Sequence, residues 1–211
     1  MTVSDPKADQ YARAAEGWTD RQYANAATWF ERRAELLVSL GPRLQPGDEV
    51  LELACGDSAL GERLLARSLR YHGVDITPEM VAASNSRLGD RATAEVGDLN
   101  SYVPPAPVAA TAVFRALYYI PDRRAFFRHT AEFTERKLMF DFNPRQYAVA
   151  DVVADLRTAG LGQVELRPFF VPLTLTLPRA ALTIGRVLER SGPLARLILR
   201  FKFSYIVAAW R

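Results

Sequence analysis

Four acidic residues in this chain stand where an acid is costly unless something polar meets it. Glu52 lies inside the apolar run Glu49 to Ala54, and Asp75 closes the run Leu69 to Val74. Asp98 follows Ala92 to Val96 and Gly97, and Asp141 lies in Lys137 to Phe142, just ahead of Asn143. Each run is short, apolar and bounded by turn residues, as a buried strand should be. An ionised carboxylate at the end of such a strand costs several kcal/mol unless a partner satisfies it. A ligand is an economical partner. A metal is not expected, because Cys55, His72 and His129 are the whole soft-ligand inventory and form no pair at metal spacing.

The elements that must position these acids follow one rhythm. Residues 8–40 carry Trp18, Tyr23, Trp29, Phe30, Leu36, Leu37 and Leu40 at spacings that predict one or two amphipathic helices, stopped by Gly41-Pro42. The first strand runs into Gly56-Asp57-Ser58, where Asp57 or Ser58 is expected to cap a helix from Ala59 to Arg67. The second strand leads to Thr77-Pro78-Glu79, a helix start with a capping hydroxyl and a first-turn proline. Val108 to Phe114 predicts a fourth strand followed by a helix from Asp122 to Thr134. Lys137 to Phe142 predicts a fifth, backed by a helix from Tyr147 to Ala159. Gln163 to Phe169 predicts a sixth, then helical stretches from Arg179 to Arg190 and on to Leu199, and a last strand from Phe201 to Trp210. Alternating strands and helices with short loops predict a mostly parallel sheet covered by helices on both faces. In such sheets, ligands bind beyond the carboxyl ends of the strands.

Glu52-Leu-Ala-Cys-Gly56-Asp-Ser, then Gly73-Val-Asp75, then Gly97-Asp98 resemble the successive motifs of the class I S-adenosylmethionine-dependent methyltransferases. The resemblance covers roughly residues 30–145 plus the terminal strand. It implies an α/β, Rossmann-like sheet of seven strands, mostly parallel with an antiparallel last strand. It also implies S-adenosylmethionine as cofactor and S-adenosylhomocysteine as product. By that resemblance the turn Ala54, Gly56 and Asp57 approaches the methionine part and Glu52 holds its amino end. Asp75 accepts from the ribose hydroxyls, with Ile76 and Met80 against the adenine. Asp98 accepts from the adenine amine, with Leu99 beside the ring. Phe114 and Arg115 border the sulfonium, and Tyr11, Trp18 and Tyr23 close over the cofactor or cover the sheet. The chain departs from the family's alternating glycines, since Ala54 and Ser58 replace two of them, and any of these positions that needs positive φ would be strained. The acid that commonly starts strand four is also missing, the matching stretch being Pro107 to Ala112.

A nicotinamide dinucleotide is the rival ligand, because an acid ending strand two serves both classes. Gly56 and Gly61 cannot be placed on its G-x-G-x-x-G turn, and Glu52 and Asp98 have no role there. Other residues have ordinary readings beside chemical ones. Cys55 is read as a packed small side chain, His72 as a core histidine in strand two and His129 as a surface residue. Tyr118 and Tyr119 either guide the methyl sulfonium by cation–π attraction or pack under the next helix. Methyl transfer is an in-line displacement that positioning alone can accelerate. If the acceptor were a hydroxyl needing a base, Asp141 is the candidate, with Tyr119 as the second catalytic residue.

The bulk numbers set limits. A chain of 211 residues, 49% hydrophobic, buries one full core, and a single domain is expected over 1–211. Within it, 1–45 reads as a helical cover, 46–145 as the cofactor core and 170–200 as a lid-like insertion before the last strand. Residues 179–211 carry +6 while the remainder sums to −3. The 179–202 stretch, basic and apolar, reads as a lid, a contact with anionic membrane or plain packing. No aromatic-basic stacking run points to nucleic acid. A single cysteine, with neither an apolar leader nor a long apolar run, makes the cytoplasm the expected location. The expected activity is methyl transfer to a small apolar or aromatic metabolite of natural-product or lipid-quinone type. The alternative is cofactor binding without methyl transfer, or another reaction such as a cyclisation. Nothing in the sequence sets the oligomeric state.

Overall fold

The structure, a computed structural model, describes residue 15, residues 17–199 and residues 203–211. Seven strands form one sheet: β1 (Glu49–Leu53), β2 (Arg70–Asp75), β3 (Thr93–Val96), β4 (Val108–Val113), β5 (Thr134–Phe142), β6 (Gln163–Phe169) and β7 (Ser204–Trp210). Their order is β3-β2-β1-β4-β5-β7-β6. The pairs among β1 to β5 are parallel, and β7 runs antiparallel to both β5 and β6. This is the Rossmann-like sheet expected, with its antiparallel last strand. Strand order reverses between β1 and β4, the place where open α/β sheets bind ligands.

The helices are α1 (Trp18–Gln22), α2 (Ala26–Ser39), α3 (Ala59–Leu65), α4 (Pro78–Leu88), α5 (Arg123–Phe133), α6 (Val149–Thr158), α7 (Arg179–Leu188) and α8 (Pro193–Ile198). Strand side chains alternate between two cores. Val50, Ala110, Ala112 and Met139 face Leu36, Leu37 and Leu40 of the α2 region, whereas Leu51, Leu53, Val113 and Phe140 face Phe127 and Val152 of α5 and α6. Each fully buried Leu or Phe stabilises by about 1.5–3 kcal/mol, so the period-two pattern fixes which face every strand residue takes.

Helix starts differ from expectation in two places. Asp122 does cap α5, its Oδ1 accepting the Ala125 amide at 3.0 Å. Ser58 and Thr77 occupy N-cap positions without a side-chain cap bond. Asp57 is engaged elsewhere, as described below. Strand β5 begins at Thr134, earlier than expected, because α5 runs straight into it with no intervening loop. That extension buries Lys137, whose Nζ donates to the Leu40 carbonyl at 2.6 Å, a cation against the C-terminal end of α2. Burial pulls its pKa down to about 8.

The segment after β6 is stitched to the N-terminal helices. The Ala24 amide donates to the Leu173 carbonyl at 2.9 Å, and Asn25 Nδ2 donates to the Leu175 carbonyl at 2.7 Å. Glu189, buried, accepts from Arg32 Nε and from the Phe170 amide, both at 3.1 Å. Phe170, Ala195 and Leu199 make a small apolar cluster of their own beneath this segment. No described helix is long and apolar enough to cross a membrane.

Candidate functional site

A cleft of about 500 Å³ opens at the carboxyl edge of the sheet, over the β1/β4 switch point. Its floor is the turn after β1. Ala54, Gly56 and Ser58 hold φ of 58°, 56° and 54°, so every second residue is left-handed. For the alanine and the serine this costs about 1–2 kcal/mol each, and the surroundings must impose it. They do so with named bonds. The Cys55 amide donates to the Val74 carbonyl at 3.0 Å, and the Gly56 amide donates to Asp75 Oδ2 at 2.9 Å. Ser58 Oγ lies 2.9 Å from the Tyr71 hydroxyl and also bonds Ser84 Oγ, contacts that a glycine could not make. Gly73 lets β2 pass beneath, since a Cβ there would meet Cys55 Sγ at 2.9 Å.

Glu52 points up from β1 into the cleft, 5% exposed, and its Oε2 accepts from the Tyr71 hydroxyl at 2.7 Å. Burial pushes its pKa up to about 8, with Asp57 and Asp75 adding to the rise, while Tyr71 and Arg33 oppose it. The folded chain therefore keeps this carboxyl protonated over a range where the unfolded chain, at 4.5, has released the proton. Stability from this group is present at low pH and falls as pH rises through that window. Urea unfolding is expected to show stability declining less steeply from about pH 5 to pH 8 in Glu52→Gln than in the wild type. Parallel profiles would contradict a protonated Glu52.

Asp75, also buried, accepts from the Gly56 amide on one oxygen and from the Thr77 amide at 3.0 Å on the other. Burial raises its pKa, and those two amides partly offset the rise. Asp57 is tied down by the Thr19 hydroxyl at 2.6 Å and by Arg87 at 2.8 Å, which fastens α1 to the turn. Asp98 is exposed, its Oδ1 accepting from the Asn100 amide at 2.9 Å.

The opposite wall is aromatic and cationic. Phe30, Phe114, Tyr23, Tyr118 and Tyr119 line it together with Arg33 and Arg115. The Arg33 guanidinium is buried, 4.6 Å from the Phe114 ring centre and 5.0 Å from that of Trp29. It donates to Asp141 Oδ2 at 2.5 Å, while its Nε has no partner among the described residues. Arg115, at φ 54°, has its guanidinium carbon 5.4 Å from the Tyr23 ring centre and bonds that tyrosine. Burial works against its charge, but Tyr23, Asp141 and Tyr118 outweigh it, so the guanidinium holds its proton more firmly than usual.

The structure thus gathers Glu52, Ala54, Gly56, Asp57, Asp75, Ile76, Met80, Asp98, Leu99, Phe114, Arg115, Tyr23 and Tyr119 around one cleft. Tyr11 lies outside the described residues. Asp141 is corrected: it does not line the cleft but sits behind it, with one oxygen on Arg33 and the other on the Arg115 amide. A carboxylate so engaged holds the wall in place and is not placed to take a substrate proton. His72 is corrected too. It is partly exposed, beside Glu95 and Tyr102, because β3 is a short edge strand that leaves that face uncovered. His129 is half-buried, its ring nitrogen 2.9 Å from the Tyr102 carbonyl oxygen. Sequence reading missed Arg33 and Phe30. Arg33 had a signal, since it stands four residues from both Trp29 and Leu37, on the buried stripe of α2.

Comparison with known proteins agrees with this geometry. Residues 50–137 match the family model of a methyltransferase domain. An uncharacterized methyltransferase, C70.08c, of Schizosaccharomyces pombe is 31% identical over 88 residues, which span 42% of this chain and 30% of that protein's length. A chain of the Haloferax volcanii complex between the Trm112 methyltransferase activator and a methyltransferase superposes with TM-score 0.69 at 19% identity, covering 99% of both chains. Magnesium protoporphyrin IX methyltransferase (ChlM) from Synechocystis PCC 6803, with bound S-adenosylmethionine, gives TM-score 0.56 at 17% identity over 100% of this chain and 87% of its own.

Proposed function

We propose that this protein transfers a methyl group from S-adenosylmethionine to a small apolar or aromatic metabolite; residues 50–137 match a methyltransferase-domain model and the chain has the Rossmann-like methyltransferase fold. The observation that carries the reading is a pair of buried polar groups lining the cleft, Glu52 from β1 and Arg33 from the opposite wall. Arg33 has an orphaned Nε, and Glu52 is a buried carboxyl facing the cleft that a ligand ammonium would favour in its ionised form, a set that fits the carboxylate and ammonium of one amino-acid end. Asp75 and Asp98 then stand on the strand ends beyond it, Asp75 for ribose hydroxyls and Asp98 for an adenine amine. Ile76, Met80 and Leu99 are the apolar neighbours of the base. When bound, the cofactor supplies an electrophilic methyl group. The chain's residues hold and orient it, and the aromatic wall of Phe114, Tyr118 and Tyr119 excludes water and faces the developing charge.

Isothermal calorimetry with S-adenosylmethionine and S-adenosylhomocysteine tests the cofactor, and transfer of labelled methyl to a metabolite panel tests the reaction. Absence of binding defeats the proposal. Binding without transfer across the panel favours a protein that uses the fold for binding or for another reaction such as cyclisation.

The same proposal divides the chain into a cover at 1–45, a cofactor core at 46–145 and an insertion at 170–200, and places it in the cytoplasm. Exposed Ile184, Val187, Leu194 and Leu197, beside exposed Arg190 and Arg196, support contact of the insertion with anionic membrane. Arg200 and Lys202 of that stretch lie outside the described residues. Failure to co-sediment with anionic liposomes at low salt would exclude such contact.

A further inference from the structure

The acceptor half of the cleft poses an electrostatic question that the cofactor does not answer. Of the two arginines lining the cleft among the described residues, Arg33 is neutralised by Asp141. Arg115 enters no ion pair among those residues; it bonds the Tyr23 hydroxyl and lies over that ring, and Asp141 acts on it only from beyond ion-pair distance. Asp141 takes up the Arg115 amide and leaves the guanidinium to the cleft. A cation beside the position of a sulfonium repels a second positive charge, so a protonated amine is a poor acceptor there. A negative group is a good one.

The proton inventory points the same way. Among the described residues that line the cleft there is no histidine or lysine. The four acids that do line it are committed on the cofactor side. Glu52 is bonded to Tyr71, Asp57 to Thr19 and Arg87, Asp75 to two backbone amides, and Asp98 to Asn100. An acceptor that must lose a proton as it reacts would find no free acid, histidine or lysine to take it among the described lining residues. An acceptor already ionised needs none.

We propose that the acceptor is the carboxylate of a molecule with an apolar or aromatic body, and that Arg115 is the residue that receives it. The inference rests on the methyl-transfer reading above. Phe30, Phe114 and Tyr23 receive the body, and the Arg115 fork takes the carboxylate as planar guanidinium takes planar carboxylate. A carboxylate oxygen lone pair forms the new O–C bond to the methyl carbon as the S–C bond breaks, and that bond's electron pair passes to sulfur. The negative and positive charges cancel, a methyl ester and a neutral thioether result, and no proton moves. Both products leave uncharged at the reacting centre, which loosens the ester from Arg115.

The test uses the full chain, S-adenosylmethionine labelled on the methyl group, and a panel of aromatic and branched aliphatic carboxylic acids matched with their carboxamides and amines. Ester formation is read as volatile methanol released by base. The expected result is base-labile methyl from acids and none from the matched amides or amines. Arg115→Gln should then lower kcat/KM for the acid about 100-fold, with S-adenosylmethionine binding retained in calorimetry. Arg115→Lys, which keeps the charge but loses the planar fork, should recover only part of the loss. A base-stable methylated product, methylation of the amines, or an unchanged kcat/KM in Arg115→Gln overturns the assignment. So does cofactor binding with no base-labile product from any acid. In each of those cases cofactor binding still stands, whereas a chain that binds no S-adenosylmethionine defeats the methyl-transfer reading itself.

Discussion

Replacing Asp75 by alanine is expected to weaken S-adenosylmethionine binding by about two orders of magnitude, because hydrogen bonds to a charged group contribute about 1.5–3 kcal/mol each and every 1.4 kcal/mol is tenfold. Two losses combine. The ribose hydroxyls lose their acceptor, and the turn loses the carboxylate that holds the Gly56 and Thr77 amides. Asp75→Asn separates them, since the amide oxygen can still accept from Gly56 while the charge is gone; its affinity should lie between those of wild type and Asp75→Ala. Calorimetry on the three proteins checks the order. An Asp75→Ala protein that binds with wild-type affinity would contradict the proposed cofactor pose.

Asp141→Ala is expected to cost stability before it costs chemistry. Removing this acid leaves the Arg33 guanidinium buried and without a counter-charge, and breaking one side of such a pair typically costs about 3–5 kcal/mol. Denaturant unfolding should report that loss, and Arg33→Met in the same chain should recover part of it, because the stranded charge goes with it. The outcome separates two roles. A general base at this position would lower kcat in Asp141→Ala and leave the unfolding midpoint in place. A wall-holding acid moves the midpoint first.

Much of this architecture was legible in the residue order. Glu52, Asp75 and Asp98 could be found because each follows or interrupts a short apolar run bounded by turns, where a charge has no core explanation. The order of the strands in the sheet could not be read in the same way, since β7 inserts between β5 and β6 by pairing far along the chain. Asp141 was misread for a simpler reason. It shares the face of Met139 in β5, which is the face that α2 covers, and only the fold shows that Arg33 waits there. Arg33 lies on the buried stripe of α2, but nothing near it in sequence names the acid it meets. His72 reads as buried because it falls in the middle of strand two, but its side chain lies beside the short edge strand β3. In each of these cases the deciding contact joins residues distant in sequence.

The turn after β1 shows what such distant contacts do. Ala54 and Ser58 hold left-handed backbone where glycine is permissive, yet neither residue visits that region readily in the unfolded chain. Replacing glycine narrows the unfolded ensemble by about 0.4–1 kcal/mol per position, a gain offset here by native strain. The local sequence therefore carries no preference for the shape the turn finally takes. Val74 and Asp75 of β2 and Ser84 of α4 must already be in place to hold it. The floor of the cleft thus takes its shape from the sheet edge and helix around it and not from its own residue preferences.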